Sequence, residues 1–138
     1  MKTELYVLAI NAGSSSIKFS LYQKDEPPKR RCFGKVDRIG LGGTCLTYSD
    51  PARNQMISRK IGASDHTSAA NFLIDLLQEQ VGFASVMAVG HRIVNGGPKY
   101  WQPQLVTKEL LNELRHISPY DLEHACMQLY LQAWRRLT

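Results

Sequence analysis

Cysteine is scarce. Cys32, Cys45 and Cys126 are the only three in 138 residues, an odd and widely spaced set without a CxxC pair. Such a set offers neither a disulfide framework nor a zinc site, and it points to a reducing, cytoplasmic setting. Long apolar runs are missing too. The stretch from Leu5 to Ile10 follows Glu4 and is too short for a membrane span or for the apolar core of a secretory signal. No targeting signal, internal repeat or low-complexity segment is visible. What remains is 43% hydrophobic and 21% charged residues, the composition of one soluble globular domain with a sizeable core.

Acidic residues are outnumbered, 12 Asp and Glu against 17 Lys and Arg, for a formal charge of +5. A basic excess can neutralise nucleic-acid phosphates when it is gathered on one face. Here it is scattered. The densest run, Lys29-Arg30-Arg31, has no interleaved aromatics beyond Phe33 and reads as a solvated strand edge, so neither a nucleic acid nor a membrane is expected as partner.

Residues 4–11 form a short apolar run ending at a Gly-Ser turn, the pattern of a buried central strand. In residues 16–22 the period becomes two: Ile17, Phe19 and Leu21 share one face, Ser16, Lys18 and Ser20 the other. A third strand is expected over 30–39. A hairpin of 44–49 with 55–61 then turns at Asp50-Pro51. From Asp65 to Val81 the spacing of Ala69, Phe72, Leu73, Leu76 and Leu77 predicts an amphipathic helix, capped by Ser64 or Asp65 and closed by Gly82. Residues 86–92 suit a buried strand parallel to the first, because a helix connects them. Thr107 can cap a helix carrying Leu110, Leu111 and Leu114. Past Pro119, the stripe Leu122, Ala125, Cys126, Leu129, Ala133, Trp134 and Leu137 predicts another.

Two constellations carry chemistry. Asn11-Ala12-Gly13-Ser14-Ser15-Ser16-Ile17-Lys18 joins the first two strands by a small, hydroxyl-rich turn. Gly13 relieves crowding so that N–H groups and hydroxyls can approach a polyanion, and Lys18 supplies charge from the face of Ser16. The same spacing also suits a plain Gly-Ser hairpin with a surface lysine. In Gly90-His91-Arg92-Ile93-Val94-Asn95-Gly96-Gly97 an apolar strand ends in a charged pair and a glycine turn. Arg92, at the end of a buried strand, can grip a carboxylate or phosphate bidentately, or form a structural ion pair. His91 reads as a hydrogen-bonded structural residue before it reads as a catalyst.

Together, VLAINAGSSSIKFSLY and AVGHRIVNGGPKY resemble the two signatures of the acetate and propionate kinase family, within the sugar kinase, heat-shock ATPase and actin superfamily. The first alone would also admit butyrate kinases. The resemblance implies an α/β, ribonuclease H-like N-terminal domain, a mixed sheet with flanking helices. It also implies ATP-dependent phosphorylation of acetate or a similar short carboxylate by in-line transfer, with Mg2+. Residue by residue, it places Asn11 near the metal, Ser14, Ser16 and Lys18 at the phosphates, Arg92 on the carboxylate substrate and Val94 in the wall of the acyl pocket. No catalytic residue is assigned within the chain.

Several positions depart from the family pattern. Asn95 replaces a histidine, a change that a turn tolerates because Asn accepts unusual backbone angles. Tyr120 and Asp121, in Ser118-Pro119-Tyr120-Asp121-Leu122-Glu123-His124, replace a leucine and a histidine, and Asp121 also suits a helix N-cap. The chain covers roughly the first third of a typical member. Residues 1–138 are therefore expected to be a truncated N-terminal domain without the C-terminal nucleotide-binding domain, inactive alone, with ATP or ADP and a small carboxylate as ligands. The missing domain would act in cis or in trans, and a homodimer is expected of the complete enzyme. The alternative is a non-catalytic remnant that keeps only the phosphate turn.

Overall fold

The computed structural model describes residues 4–13, 15–82, 85–92, 105, 107–109 and 112. Six strands form one sheet: β1 (Tyr6–Ala12), β2 (Ile17–Gln23), β3 (Lys29–Asp37), β4 (Cys45–Asp50), β5 (Gln55–Lys60) and β6 (Val86–Arg92). Their spatial order is β5-β4-β3-β2-β1-β6, so that β1, first in sequence, lies inside the sheet. β1 to β5 are an antiparallel meander, and β6 returns parallel to β1 after the helix α1 (His66–Gln80). The expected hairpin is thus the outer part of the same sheet, its turn a short 3-10 segment, Pro51–Arg53.

Among the described residues one face of the sheet is packed and the other is open. Tyr6, Leu8 and Ile10 of β1, Ile17, Phe19 and Leu21 of β2, and Leu46 and Tyr48 of β4 alternate inward. They share a core with Ala69, Ala70, Leu73, Ile74 and Leu77 of α1. Asp65 caps α1: its carboxylate accepts the Ser68 N–H at 2.8 Å, and the Ser68 hydroxyl accepts the Asp65 N–H in return. Gly82, with φ +76°, ends the helix, its N–H donating to the Leu77 carbonyl. Phe72, expected on the apolar stripe, is 38% exposed. The stripe centres between Leu73 and Leu77, leaving Phe72 roughly 120° around the helix, while Ala70 and Ile74 fill the inner face instead.

The basic run also departs from expectation. β3 lies between β2 and β4, not at an edge, and the Arg31 side chain is only 13% exposed. Its Nε lies 3.4 Å from a carboxylate oxygen of Asp50, which is fully buried, and its Nη1 donates to the Tyr6 hydroxyl at 2.7 Å. Arg53 approaches the same carboxylate at 3.8 Å. Lys29 and Arg30 are solvent-exposed as read. Burial pushes the neighbouring Cys32 thiol above its ordinary range, which makes it a poor nucleophile.

Lys108, Glu109 and Asn112 are helical and follow Thr107, consistent with the expected start of a helix there. Leu110, Leu111 and Leu114, the stripe from Leu122 to Leu137 and Cys126 lie outside the described residues. Among the described residues no helix is long and apolar enough to cross a membrane.

Candidate phosphate-binding face

The β1–β2 connection is a tight turn held at three carbonyls. The Gly13 N–H donates to the Ser16 carbonyl at 2.7 Å, closing the turn on itself. The Ile39 N–H, from the segment after β3, donates to the Ser15 carbonyl at 2.8 Å. The third tie comes from α1, where Nε2 of His66 lies 2.8 Å from the Gly13 carbonyl. A carbonyl oxygen only accepts, so the imidazole is the donor. Gly13 leaves room for the turn: a β-carbon there would sit 3.0 Å from the Ser16 hydroxyl oxygen, which would have to shift slightly.

Strand register then gathers the sequence-derived residues at one end of the open face. Asn11 of β1 pairs with Lys18 of β2 on one side and with Arg92 of β6 on the other. Lys18 continues the row to Lys35 of β3. Two residues along, on the same face, runs a row of small residues, Gly90, Ala9 and Ser20. Asn11, Lys18, Ala9, Ser20 and Gly90 from these rows, with Ile10 and Phe19 between them, line an open groove of about 400 Å³. The floor is small and the rim is polar, which admits a bulky polar ligand against the sheet.

The charges in this row are unevenly balanced. Lys35 lies 3.4 Å from Asp37, whose carboxyl is held below the usual carboxylate range first by the Arg38 N–H and then by Lys35. Lys18 is exposed and has no ion-pair partner among the described residues. Like charges directly opposite on neighbouring strands are unfavourable unless an anion lies between or above them. With Lys35 already paired with Asp37, Lys18 is the cation of this row that can attract a negatively charged occupant.

The sequence matches the Acetokinase family over residues 6–130. The chain belongs to the acetokinase family. As an acetokinase-family chain it is 36% identical over 118 residues to the acetate kinase of Thermotoga petrophila, covering 82% of this chain and 28% of that protein. It is 33% identical over 115 residues to the propionate kinase of Citrobacter rodentium, with 81% and 28% covered. The crystal structure of Porphyromonas gingivalis acetate kinase superposes with a TM-score of 0.74 at 25% identity, over 92% of this chain and 33% of that one. A propionate kinase from Francisella tularensis shares the fold with a TM-score of 0.78 at 20% identity, over 96% and 35%. The fold is the mixed α/β, ribonuclease H-like architecture expected from the motifs. The chain spans about 28% of the length of the curated relatives.

Of the sequence-derived site residues of this acetokinase-family chain, Asn11, Ser16 and Lys18 come together around the turn and groove. Arg92 joins them by backbone register. Ser14 and Val94 lie outside the described residues, as do Asn95, Tyr120 and Asp121. Sequence reasoning missed Ile39 and His66, which hold the turn from 24 and 53 residues away from their acceptors. It also missed Gly90 as part of the groove. The one available signal for His66 was its place directly after the Asp65 cap.

Proposed function

We propose that this chain is the phosphate- and carboxylate-gripping portion of a short-chain carboxylate kinase, phosphorylating acetate or a close homologue at the expense of ATP. The observation that carries the reading is the register row Arg92–Asn11–Lys18 beside the Gly13 turn. It puts an amide, an ammonium and a guanidinium-bearing residue on adjacent strands. In the proposed step a carboxylate oxygen attacks the γ-phosphorus of ATP in line. The new bond is C(O)O–P, the bond from phosphorus to the β,γ-bridging oxygen breaks, and ADP leaves with that electron pair. The protein contributes positioning and charge neutralisation, not a nucleophile. Within this chain Lys18 and the turn would hold phosphates, and Arg92 would orient the carboxylate.

Among the described residues no group of three or more His, Cys, Asp or Glu could hold a metal ion. Asn11, exposed at the groove rim, offers one neutral oxygen. One protein oxygen fits Mg2+ carried mainly by phosphates and water, and an ion so bound would neutralise phosphate charge. The adenosine site and the groups that surround the transferring phosphoryl are proposed to lie in the part of the relatives that this chain does not match, supplied in cis or in trans.

The test is a hydroxamate assay for acyl phosphate with acetate, propionate and butyrate. It uses the chain alone and a chimaera in which it replaces the matching residues of the Thermotoga petrophila relative. The chain alone should be inactive and the chimaera active. Arg92→Ala should lower kcat/KM by some tens- to thousands-fold, roughly the loss of one partner of a desolvated charge pair. Arg92→Lys should also be poor, because a point charge does not replace a planar fork. Near-normal efficiency in Arg92→Ala would remove Arg92 from the site. A folded chimaera that binds MgATP without turnover would favour a non-catalytic remnant.

A further inference from the structure

Among the described residues, one side chain of α1 hydrogen-bonds to the turn between β1 and β2. His66 is the first residue of the helix, directly after the Asp65 cap, and its Nε2 donates to the Gly13 carbonyl at 2.8 Å. The capping box of α1 is complete without it, since Asp65 and Ser68 satisfy each other. The helix therefore has no need of the imidazole for its own start, and the ring is free to act on the turn.

We infer that His66 is a positioning residue for the phosphate turn, fixing the direction of its peptide groups. This inference rests on the reading of the turn as a phosphate cradle. In a trans peptide the carbonyl and the N–H that follows it point in opposite directions. A carbonyl drawn toward the protein thus turns the next N–H away from it. The Ile39 N–H does this at Ser15, aiming the Ser16 N–H to the opposite side, and His66 anchors the same turn at the carbonyl of Gly13, whose own N–H donates to the Ser16 carbonyl. Carbonyl oxygens repel a phosphate and amide hydrogens attract it, so the sense of these peptides decides whether the turn accepts an anion. Freed of His66, the Gly13 peptide can rotate, because glycine allows backbone angles that other residues resist.

The geometry also selects which substitutes work. The amide nitrogen of Gln stands about where Nε2 of His stands relative to the β-carbon, whereas that of Asn matches Nδ1. Gln at position 66 should keep the bond, while Asn and Ala should lose it. Ala is well tolerated at a helix position, so the loss need not come with unfolding.

The experiment uses the whole chain labelled with 15N. In the wild type, two-bond 1H–15N spectra of neutral His66 should show the hydrogen on Nε2; a hydrogen on Nδ1 alone would overturn the inference. His66→Ala and His66→Asn should speed amide exchange at Gly13 and Ser16. They should also weaken inorganic pyrophosphate binding, followed by the shifts of those amides, roughly three- to tenfold, the worth of one hydrogen bond. Melting temperature should change little, and His66→Gln should restore both exchange and affinity. A purely structural bond would instead lower the melting temperature and leave affinity unchanged, which would overturn the inference. If the wild type binds no pyrophosphate, the cradle reading fails. His66 is then judged on exchange at Gly13 and Ser16 alone: faster exchange in Ala and Asn but not Gln sustains it, and unchanged exchange refutes it.

Discussion

Phe19 faces Gly34 across β2 and β3, and its ring occupies the space where Gly34 has no side chain. A β-carbon at Gly34 would come within 2.9 Å of the Phe19 ring and would collide with the Thr47 carbonyl of β4. Phe19 in turn stacks on Tyr48, ring centroids 6.4 Å apart. Gly34→Ala should therefore destabilise the fold by about 1–3 kcal/mol, the usual cost of overpacking. Urea unfolding would measure it, and a midpoint equal to wild type would show that β3 and β4 separate more easily than their packing implies.

The two faces of β2 predict opposite outcomes from neighbouring substitutions. Lys18→Ala removes an exposed charge and should weaken pyrophosphate binding with the melting temperature nearly unchanged. Ile17→Asp puts a carboxylate where the side chain is fully buried beside α1, and should cost about 4 kcal/mol or more, enough to unfold the domain. Thermal melts and binding titrations on both variants decide it; the reverse pattern would mean that the strand faces are exchanged.

Asp50 is the point on which Arg31 depends. Asp50→Ala leaves the largely buried guanidinium beside Tyr6 with only the exposed carboxylate of Glu4, 3.7 Å away, and also removes the acceptor for the Arg53 N–H at the 3-10 turn. A loss of about 3–5 kcal/mol is expected in equilibrium unfolding. Replacing Arg31 by Met together with Asp50→Leu should recover much of it, since an apolar pair of similar volume carries no uncompensated charge.

The cap of α1 gives a pH dependence of known sign. The Asp65 carboxyl is held below its ordinary range first by the Ser68 hydroxyl and then by the Ser68 N–H. A depressed folded-state pKa contributes stability that is present above the unfolded value of about 3.9 and is lost as pH falls through the folded value. Asp65→Ala should thus lower stability by about 1 kcal/mol at neutral pH. The gap between variant and wild type should narrow below about pH 4. Melting curves from pH 7 to pH 3 test this, and a gap that widens on acidification would contradict the sign.

Much of this was legible in the sequence because periodicity reports which residues share a face. The period of two in residues 16–22 separates Lys18 from Ile17 correctly, and Asp65 announces the helix that makes β6 parallel to β1. Periodicity is silent on who meets whom at long range. Arg31 looked like one of three solvated cations because nothing near it in sequence reveals Asp50, 19 residues on and brought alongside through β4. The donors to the Gly13 and Ser15 carbonyls were illegible for the same reason: a carbonyl is present at every residue, and only the fold selects its partner.

The closed turn between Gly13 and Ser16 has a consequence for how this hairpin can change. A strand's side chains alternate strictly, so sliding β2 by one residue against β1 would carry Lys18 onto the face of Leu8 and Leu73 and expel Ile17 to the groove. An inserted residue must either cause that slip or be absorbed as a bulge. The turn cannot absorb it without releasing the carbonyls at Gly13, Ser15 and Ser16 from their donors. The length of this loop is therefore set by the hydrophobic core as firmly as by any ligand. New specificity in this region can arise by exchanging side chains on a fixed backbone, whereas lengthening the loop would first cost the turn its hydrogen bonds.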